Sequence, residues 1–474
     1  MKTCCVRLLT VVLTSLALSG CASNSVFKNY PSQMYSVKND VTDNKLNDAY
    51  ERLSKNIRSA DKILYLQERG RIASIQGNFE GSIADWEAAF ANIEKNRMKA
   101  TVSMSKLAGE AAGMMINDNA IPYAGKSYEL VFLHTFQIYN YLGKGDLSGA
   151  LVEARRANNE QTYALEQHHK ELAKVKQDIQ EAQVDSDTFQ DALQKGYKEM
   201  AFAAGKVKTS FQNPYTYYLS GVLYEMTDDL DNAYIAYKQA LELTPDNTIL
   251  RANVMRLGKR LRMNSDLAHF SKLFGSIEES PWPRKDQGRL VVIYEDGWIP
   301  AKEQIKIPIY FNKRSYTVAM PYYDFGWKNM TALSIKAPKR WLGKTEPLCW
   351  VRSLAAKALV EDYPRIFLRQ LLRLVTKTEL QNKADKEDRT LRGITSLASL
   401  LSENADRRSW LTLPDTVQVA DFFLPEGTYP LEFQSRKADN KIRNVHIEEG
   451  KTTLIRVIRL GSKLYINAFN QPKA

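Results

Sequence analysis

Between about residue 46 and residue 262 the chain places apolar side chains three and four apart, with little but Gly, Pro and Asn to interrupt them. That spacing puts one apolar stripe on each of a series of helices. No helix of such a series can bury its stripe alone, so the stretch must fold by stacking helix on helix. The pattern ends at Ser280-Pro281-Trp282-Pro283. Beyond it, Arg289–Tyr294, Gln304–Phe311, Ser315–Met320 and Met330–Lys336 read as strands, and Leu354–Leu380 and Leu391–Leu401 as helices. Val417–Phe423, Tyr429–Gln434, Ile442–Ile447 and Thr452–Arg459 read as a second run of strands, punctuated by Pro425-Glu426-Gly427 and Glu448-Glu449-Gly450. The expected class is α+β: a helical array over 46–275, then a mixed β/α module over 288–474 ending in antiparallel strands. The strands and turns of the tail read as a small antiparallel sandwich.

Three stretches of the helical region share a spacing. One has Tyr217, Gly221, Tyr224, Ala233, Tyr237, Ala240, Leu241 and Pro245. A second has Tyr141, Gly145, Asp146, Ala150, Ala154 and Ala157. The third has Leu66, Gly70, Gly77, Phe79, Ile83, Trp86 and Ala89, with Ser82 at the small position. Small residues let two helices approach, aromatics fill the gaps, and Pro245 stops the second helix. These stretches resemble tetratricopeptide repeats. The resemblance implies a peptide-binding groove lined by the first helix of each copy, here Gln67, Arg71, Thr135, Tyr139, Tyr215, Tyr218 and Glu225. The copies are not tandem. Arg97–Met115 reads as another helix, and Asn158–Ser210 as a long inserted helical hairpin turning near Val184–Asp187.

The N-terminus carries Lys2 and Arg7, an apolar run Leu8–Leu18, and Leu18-Ser19-Gly20-Cys21. The run is too short to span a bilayer as a helix. It resembles a bacterial lipoprotein signal, which implies removal of residues 1–20 and acylation of Cys21, with residues 21–45 as a polar tether. Ala22 in place of aspartate implies the outer membrane, with the protein facing the periplasm. The whole chain is similar to a family of poorly characterised lipoproteins with tetratricopeptide repeats. The resembling stretches are Asn117–Asn119, Tyr123–Gly125 and Glu129, then Tyr139–Glu153, Tyr294–Gly297 and Asp406–Pro414. The family brings no known activity.

The formal net charge is +12, of which Lys2 and Arg7 leave with the signal. A basic protein in that compartment meets lipid headgroups, lipopolysaccharide and peptidoglycan, and no nucleic acid. Cys4 and Cys5 also leave, Cys21 is acylated, and Cys349 stands alone between Leu348 and Trp350 as a buried thiol, so no disulfide is expected. Gly125-Lys126-Ser127 lacks the earlier glycine and the preceding strand of a phosphate loop. His168 and His169 are neighbours on a helix and point about 100° apart, so they cannot share a metal. Catalytic residues, metal and cofactor are all expected to be absent.

Two constellations remain. The loop carrying Asn117, Asp118, Asn119, Tyr123 and Glu129 reads either as a self-satisfied turn or as a ligand-contact loop. Arg365, Arg369, Arg373 and Lys377, four apart, form a stripe opposite Phe367, Leu371 and Val375. It reads as a solvated helix face or as a strip for phosphate and carboxylate groups. The function expected is a membrane-anchored, non-catalytic protein-binding adaptor in envelope assembly. The alternative is a glycan- or lipid-binding protein handling surface polysaccharide or lipopolysaccharide.

Overall fold

The computed structural model describes residues 28–103, 118–181, 198–275, 282, 284–311, 314–324, 330–338, 340–387, 404–436 and 438–471. The signal with Cys21, Asn117, the hairpin turn at 184–187 and the 391–401 helix lie outside them. The helices are α1 (Tyr30–Thr42), α2 (Leu46–Ser54), α3 (Lys62–Gln76), α4 (Phe79–Ser103), α5 (Ser127–Gly143), α6 (Leu147–Glu181), α7 (Lys198–Ala204), α8 (Pro214–Met226), α9 (Leu230–Leu243), α10 (Thr248–Arg260) and α11 (Asn264–Phe274). They precede β1 (Gln287–Asp296), β2 (Lys302–Phe311), β3 (Arg314–Tyr323), β4 (Ser334–Ala337), β5 (Arg340–Lys344) and β6 (Glu346–Trp350). After α12 (Val351–Glu387) come β7 (Thr416–Pro425), β8 (Gly427–Ser435), β9 (Ala438–Ile447), β10 (Thr452–Leu460) and β11 (Lys463–Asn470). The fold is α+β, a tetratricopeptide-like helical array followed by a sheet-rich module.

The three repeat stretches are three helical hairpins, α3–α4, α5–α6 and α8–α9, each packed closely within itself. Glycine is needed where an aromatic ring of the second helix lies on the backbone of the first. A Cβ on Gly70 would come 2.5 Å from Trp86 Nε1, and one on Gly221 would come 2.6 Å from Tyr237 Cε1. Trp86 is anchored there by its indole N–H, which donates to Gln67 O at 3.0 Å.

The tether expected over 21–45 is corrected from residue 30 onward. Asn29 caps α1 by accepting from Ser32 N at 3.0 Å, and Pro31 occupies its first turn. Tyr30, Met34, Val37 and Val41 are buried in the main core. Their spacing of four, three and four is a helical stripe that the polar composition around it obscured.

The module holds a five-stranded sheet, order β11-β10-β1-β7-β6, and a four-stranded sheet, order β5-β4-β8-β9. They stack through Leu290, Val292, Tyr294, Ile455 and Val457 on one side and Ile335, Leu431, Phe433, Val445 and Ile447 on the other. The sandwich is therefore not made by the tail alone. β1 enters between β7 and β10, pairing parallel with β10 and antiparallel with β7. β8–β9 and β10–β11 are the antiparallel pairs that end the chain. The β5, β6 and β11 strands were absent from the sequence expectation.

Strand alternation explains how β1 serves two cores. Leu290, Val292 and Tyr294 point at the four-stranded sheet. Val291 and Ile293 belong to the core shared with the helices. A strand covered on both faces needs the unbroken apolar run that 290–294 supplies. The Gly70→Ala substitution is expected to lower stability by about 1–3 kcal/mol, because the methyl must displace the Trp86 ring. Urea unfolding followed by tryptophan fluorescence measures it.

Candidate functional site

Helices α3, α5 and α8 are buried along almost their whole length. One side of each meets its hairpin partner. The other, which the repeat resemblance assigns to a peptide groove, meets the chain's own sheet module. Gln67, Arg71, Thr135, Tyr139, Tyr215 and Tyr218 are each fully covered, and the Glu225 side chain is 10% exposed. An open groove for a partner is thus corrected: this chain fills it in cis.

Three polar clusters make the seal. The deepest lies around Glu295, at the helix-facing end of β1. Arg456 of β10 donates to both carboxylate oxygens, Nε at 2.8 Å and Nη2 at 3.2 Å. Arg71 of α3 donates to Oε2. The Tyr215 hydroxyl donates to Oε1 at 2.9 Å and stands 2.6 Å from the Tyr139 hydroxyl. The Phe136 ring lies against both guanidiniums, its centroid 4.3 Å from Arg71 Cζ and 4.9 Å from Arg456 Cζ, and so helps hold a buried excess of positive charge. Burial alone would raise the Glu295 carboxyl, but Arg456 and Arg71 overcome it and hold the group below its ordinary value. Burial draws Arg71 down despite its share of the carboxylate.

The second cluster sits six residues along the same face of β1, about 20 Å away at strand rise. Arg289 binds Asp421 of β7 through Nε at 3.0 Å and Nη2 at 2.6 Å, and donates to Glu225 of α8 through Nη1. Arg256 donates to both oxygens of Glu225 at 2.8 Å, and the Tyr237 hydroxyl donates to Oε1 at 2.8 Å. The Tyr218 hydroxyl donates to Asp421 at 3.2 Å. Burial pushes the Glu225 carboxyl up, and Arg289 and Arg256 pull it down further, to about 2.

The third cluster grips residues 408–413, a segment without regular secondary structure. Glu68 of α3 accepts from Leu411 N at 2.7 Å and Thr412 N at 3.0 Å. Glu129 of α5 accepts from Trp410 N at 2.8 Å. Arg71 Nε donates to Thr412 O at 3.3 Å. Burial raises Glu68 to about 7 in spite of those donors. Trp410 inserts its ring beside Trp86 and Phe136. Arg408 donates to Asp61 at 2.6 Å, to Ile121 O at 2.7 Å and to Asp118 O at 2.7 Å.

The described part of the loop, 118–129, therefore has partners within the chain, which corrects the ligand-contact reading. The Glu129 carboxylate takes Tyr123 OH at 2.6 Å and Lys126 N at 3.1 Å besides Trp410 N. Asn119 Nδ2 donates to Ala405 O at 3.4 Å, and Asp118 receives Arg373 at 2.7 Å. The basic stripe on α12 is corrected with it. Arg373 is buried on Asp118, Arg369 reaches the same carboxylate at 3.4 Å, and Arg365 pairs with Asp362 at 2.7 Å. The Lys377 side chain lies outside the described residues. The helix face that the pattern assigns to solvent lies partly under the loop.

Sequence reasoning missed Glu295, Arg456, Arg289, Asp421, Glu68 and Arg408 as partners of the groove. The signal was present: a charge inside an apolar strand run, such as Leu454-Ile455-Arg456-Val457-Ile458, must find a buried counter-charge. Burial pushes the Cys349 thiol well up, as an inert cysteine requires. A cavity of about 610 Å³ opens beside it, lined by Val207, Pro214, Leu243, Pro245, Leu348 and Trp350, with Lys206 and Lys208.

No protein-family model matches the chain, and no curated protein matches it. Among solved structures, the TPR2AB domain of yeast Sti1, solved as a complex with pHSP90, is similar at 14% identity, covering 51% of this chain and 88% of that one with a TM-score of 0.21. The repeat assignment rests on the three hairpins themselves.

Glu295→Gln is expected to cost about 3–5 kcal/mol, because it leaves two buried guanidiniums without a carboxylate. Tyr215→Phe should cost about 1 kcal/mol; chemical denaturation ranks the two. Glu225 sets a pH dependence. Its folded value of about 2 lies below the ordinary glutamate value of about 4.3. Its contribution is therefore complete above the unfolded value and disappears as pH falls toward the folded one. Glu225→Gln should be less stable at neutral pH and lose less stability across that acid window, as urea midpoints at stepped pH will show.

Proposed function

We propose that the protein is a lipid-anchored, non-catalytic adaptor of the bacterial cell envelope, held at the outer membrane through Cys21 and facing the periplasm. One observation supports the adaptor reading above the others. The first helices of two repeats hold residues 408–413 by side chains that bind its backbone amides and carbonyls. Stacked repeats hold a partner's peptide in the same way. In this chain that capacity is directed inward, and it makes the array a rigid frame for the sheet module. A protein partner then meets outer surfaces. The outer faces of α6 and α7, here called the arm, offer Val152, Leu165 and Phe202, exposed by 39%, 37% and 52%.

The second reading, a glycan- or lipid-binding protein, is favoured by the cavity beside Cys349. Its apolar lining and its two lysines suit an anionic amphiphile.

Photo-crosslinking in living cells separates the two. Photoreactive residues at Leu165 and Phe202 are expected to yield adducts with an envelope protein, and one at Tyr218 only intramolecular products. Adducts at Val207 or Leu243 with lipid or lipopolysaccharide, with none to protein from the arm, would replace the adaptor by the second reading.

A further inference from the structure

The main core begins at Tyr30, and the first described residue is Lys28. The span from Cys21 to Lys28 reaches about 25 Å when fully extended. If Cys21 is lipidated, as proposed above, the start of α1 cannot swing away from the bilayer. The edge of the molecule around the start of α1 is then the part that the anchor holds nearest the membrane.

The structure shows which segments make up that edge. Tyr30 bonds to Glu68 at 3.2 Å and packs edge-on against Tyr65, at the start of α3. Asp61, just before α3, shares one Arg408 nitrogen with Ile121 O, at 2.6 and 2.7 Å. The start of α1, the turn joining α2 to α3 and the 121–125 loop therefore converge. Lys28, Lys55 and Arg58 are exposed there and Lys62 is half-buried. None of the four enters an ion pair among the described residues. The acids Asp61 and Asp406 are bound to Arg408, leaving Glu51, exposed one turn before Lys55, as an opposing charge. On the adjoining loop Ile121 is 36% exposed and Pro122 beside it is exposed as well.

We propose that this edge docks on the anionic headgroups of the membrane that holds the chain, its lysines and arginine facing phosphates and Ile121-Pro122 entering the interface. Each such cation adds attraction that acts within a Debye length of the surface. The short leash keeps these cations concentrated near that surface, so the lipid and the basic edge act as two signals on one surface.

The test uses the full-length lipidated protein in vesicles of phosphatidylethanolamine and phosphatidylglycerol, with some lipids carrying a headgroup nitroxide quencher. Cys349 is buried, so Arg58→Cys, Pro122→Cys or Leu273→Cys each supplies one site for a fluorophore. Leu273, 59% exposed on α11, belongs to the opposite end of the helical series. Quenching at positions 58 and 122 is expected to exceed that at 273 several-fold. Raised salt, or Lys55→Glu with Lys62→Glu, should shrink the difference. Equal quenching at all three positions, in protein whose N-terminal peptide carries the mass of the lipid, overturns the docked edge and leaves the anchor standing. An N-terminal peptide without that mass overturns both.

Discussion

The Glu295 carboxylate is the point on which the two halves of this molecule agree. It receives a guanidinium from α3, another from β10 and a hydroxyl from α8. An ion cluster of this kind is a poor source of net stability, because taking three charges out of water is expensive. Its value is in specifying position. An apolar face slides against another at little cost, whereas a buried carboxylate with two arginines has one acceptable register. The Arg289 cluster fixes the same strand a second time, further along its helix-facing side. Two fixed points on one strand leave the sheet no freedom to pivot on the helical array.

That arrangement changes what the repeats are for. Helical repeats commonly hold an open concave surface, rich in side chains that can bind a peptide backbone. Here the equivalent side chains bind Trp410, Leu411 and Thr412 of the same chain, and the aromatic ring of Trp410 completes the packing around Trp86 and Phe136. The groove has become an interior. Among the described residues, the surfaces proposed here for other molecules are the outer faces of α6 and α7, the cavity beside Cys349 and the basic edge near α1.

Much of the architecture was legible in the sequence, for definable reasons. The three hairpins announce themselves through Gly70, Gly221, Trp86 and Tyr237, because close helix contact admits few residue types. The long apolar run of β1 marks a strand covered on both sides. Three things were hidden. The helix of residues 30–42 has its stripe of Tyr30, Met34, Val37 and Val41 diluted by polar neighbours. The sandwich takes β1, β4, β5 and β6 from before α12, and no local pattern encodes a pairing across that distance. The seven groove positions were chosen by their place on the first helices, yet what covers them is decided by residues 64 to 341 positions away. Polar side chains on a repeat's inner face look the same in sequence whether the ligand is foreign or internal.

The parallel pairing of β1 with β10 governs the order in which the protein can be completed. β1 is synthesised directly after the helices, but its neighbour on one side is Thr452–Leu460. Until that last segment emerges, Glu295 has only one of its two arginines, and β1 carries an unpaired edge. An unpaired apolar strand edge is a template for aggregation, and contacts this distant in sequence form slowly. During synthesis the nearly finished chain therefore exposes that edge for longest. A chain cut short before β10 would keep its helical repeats and still be unable to close them.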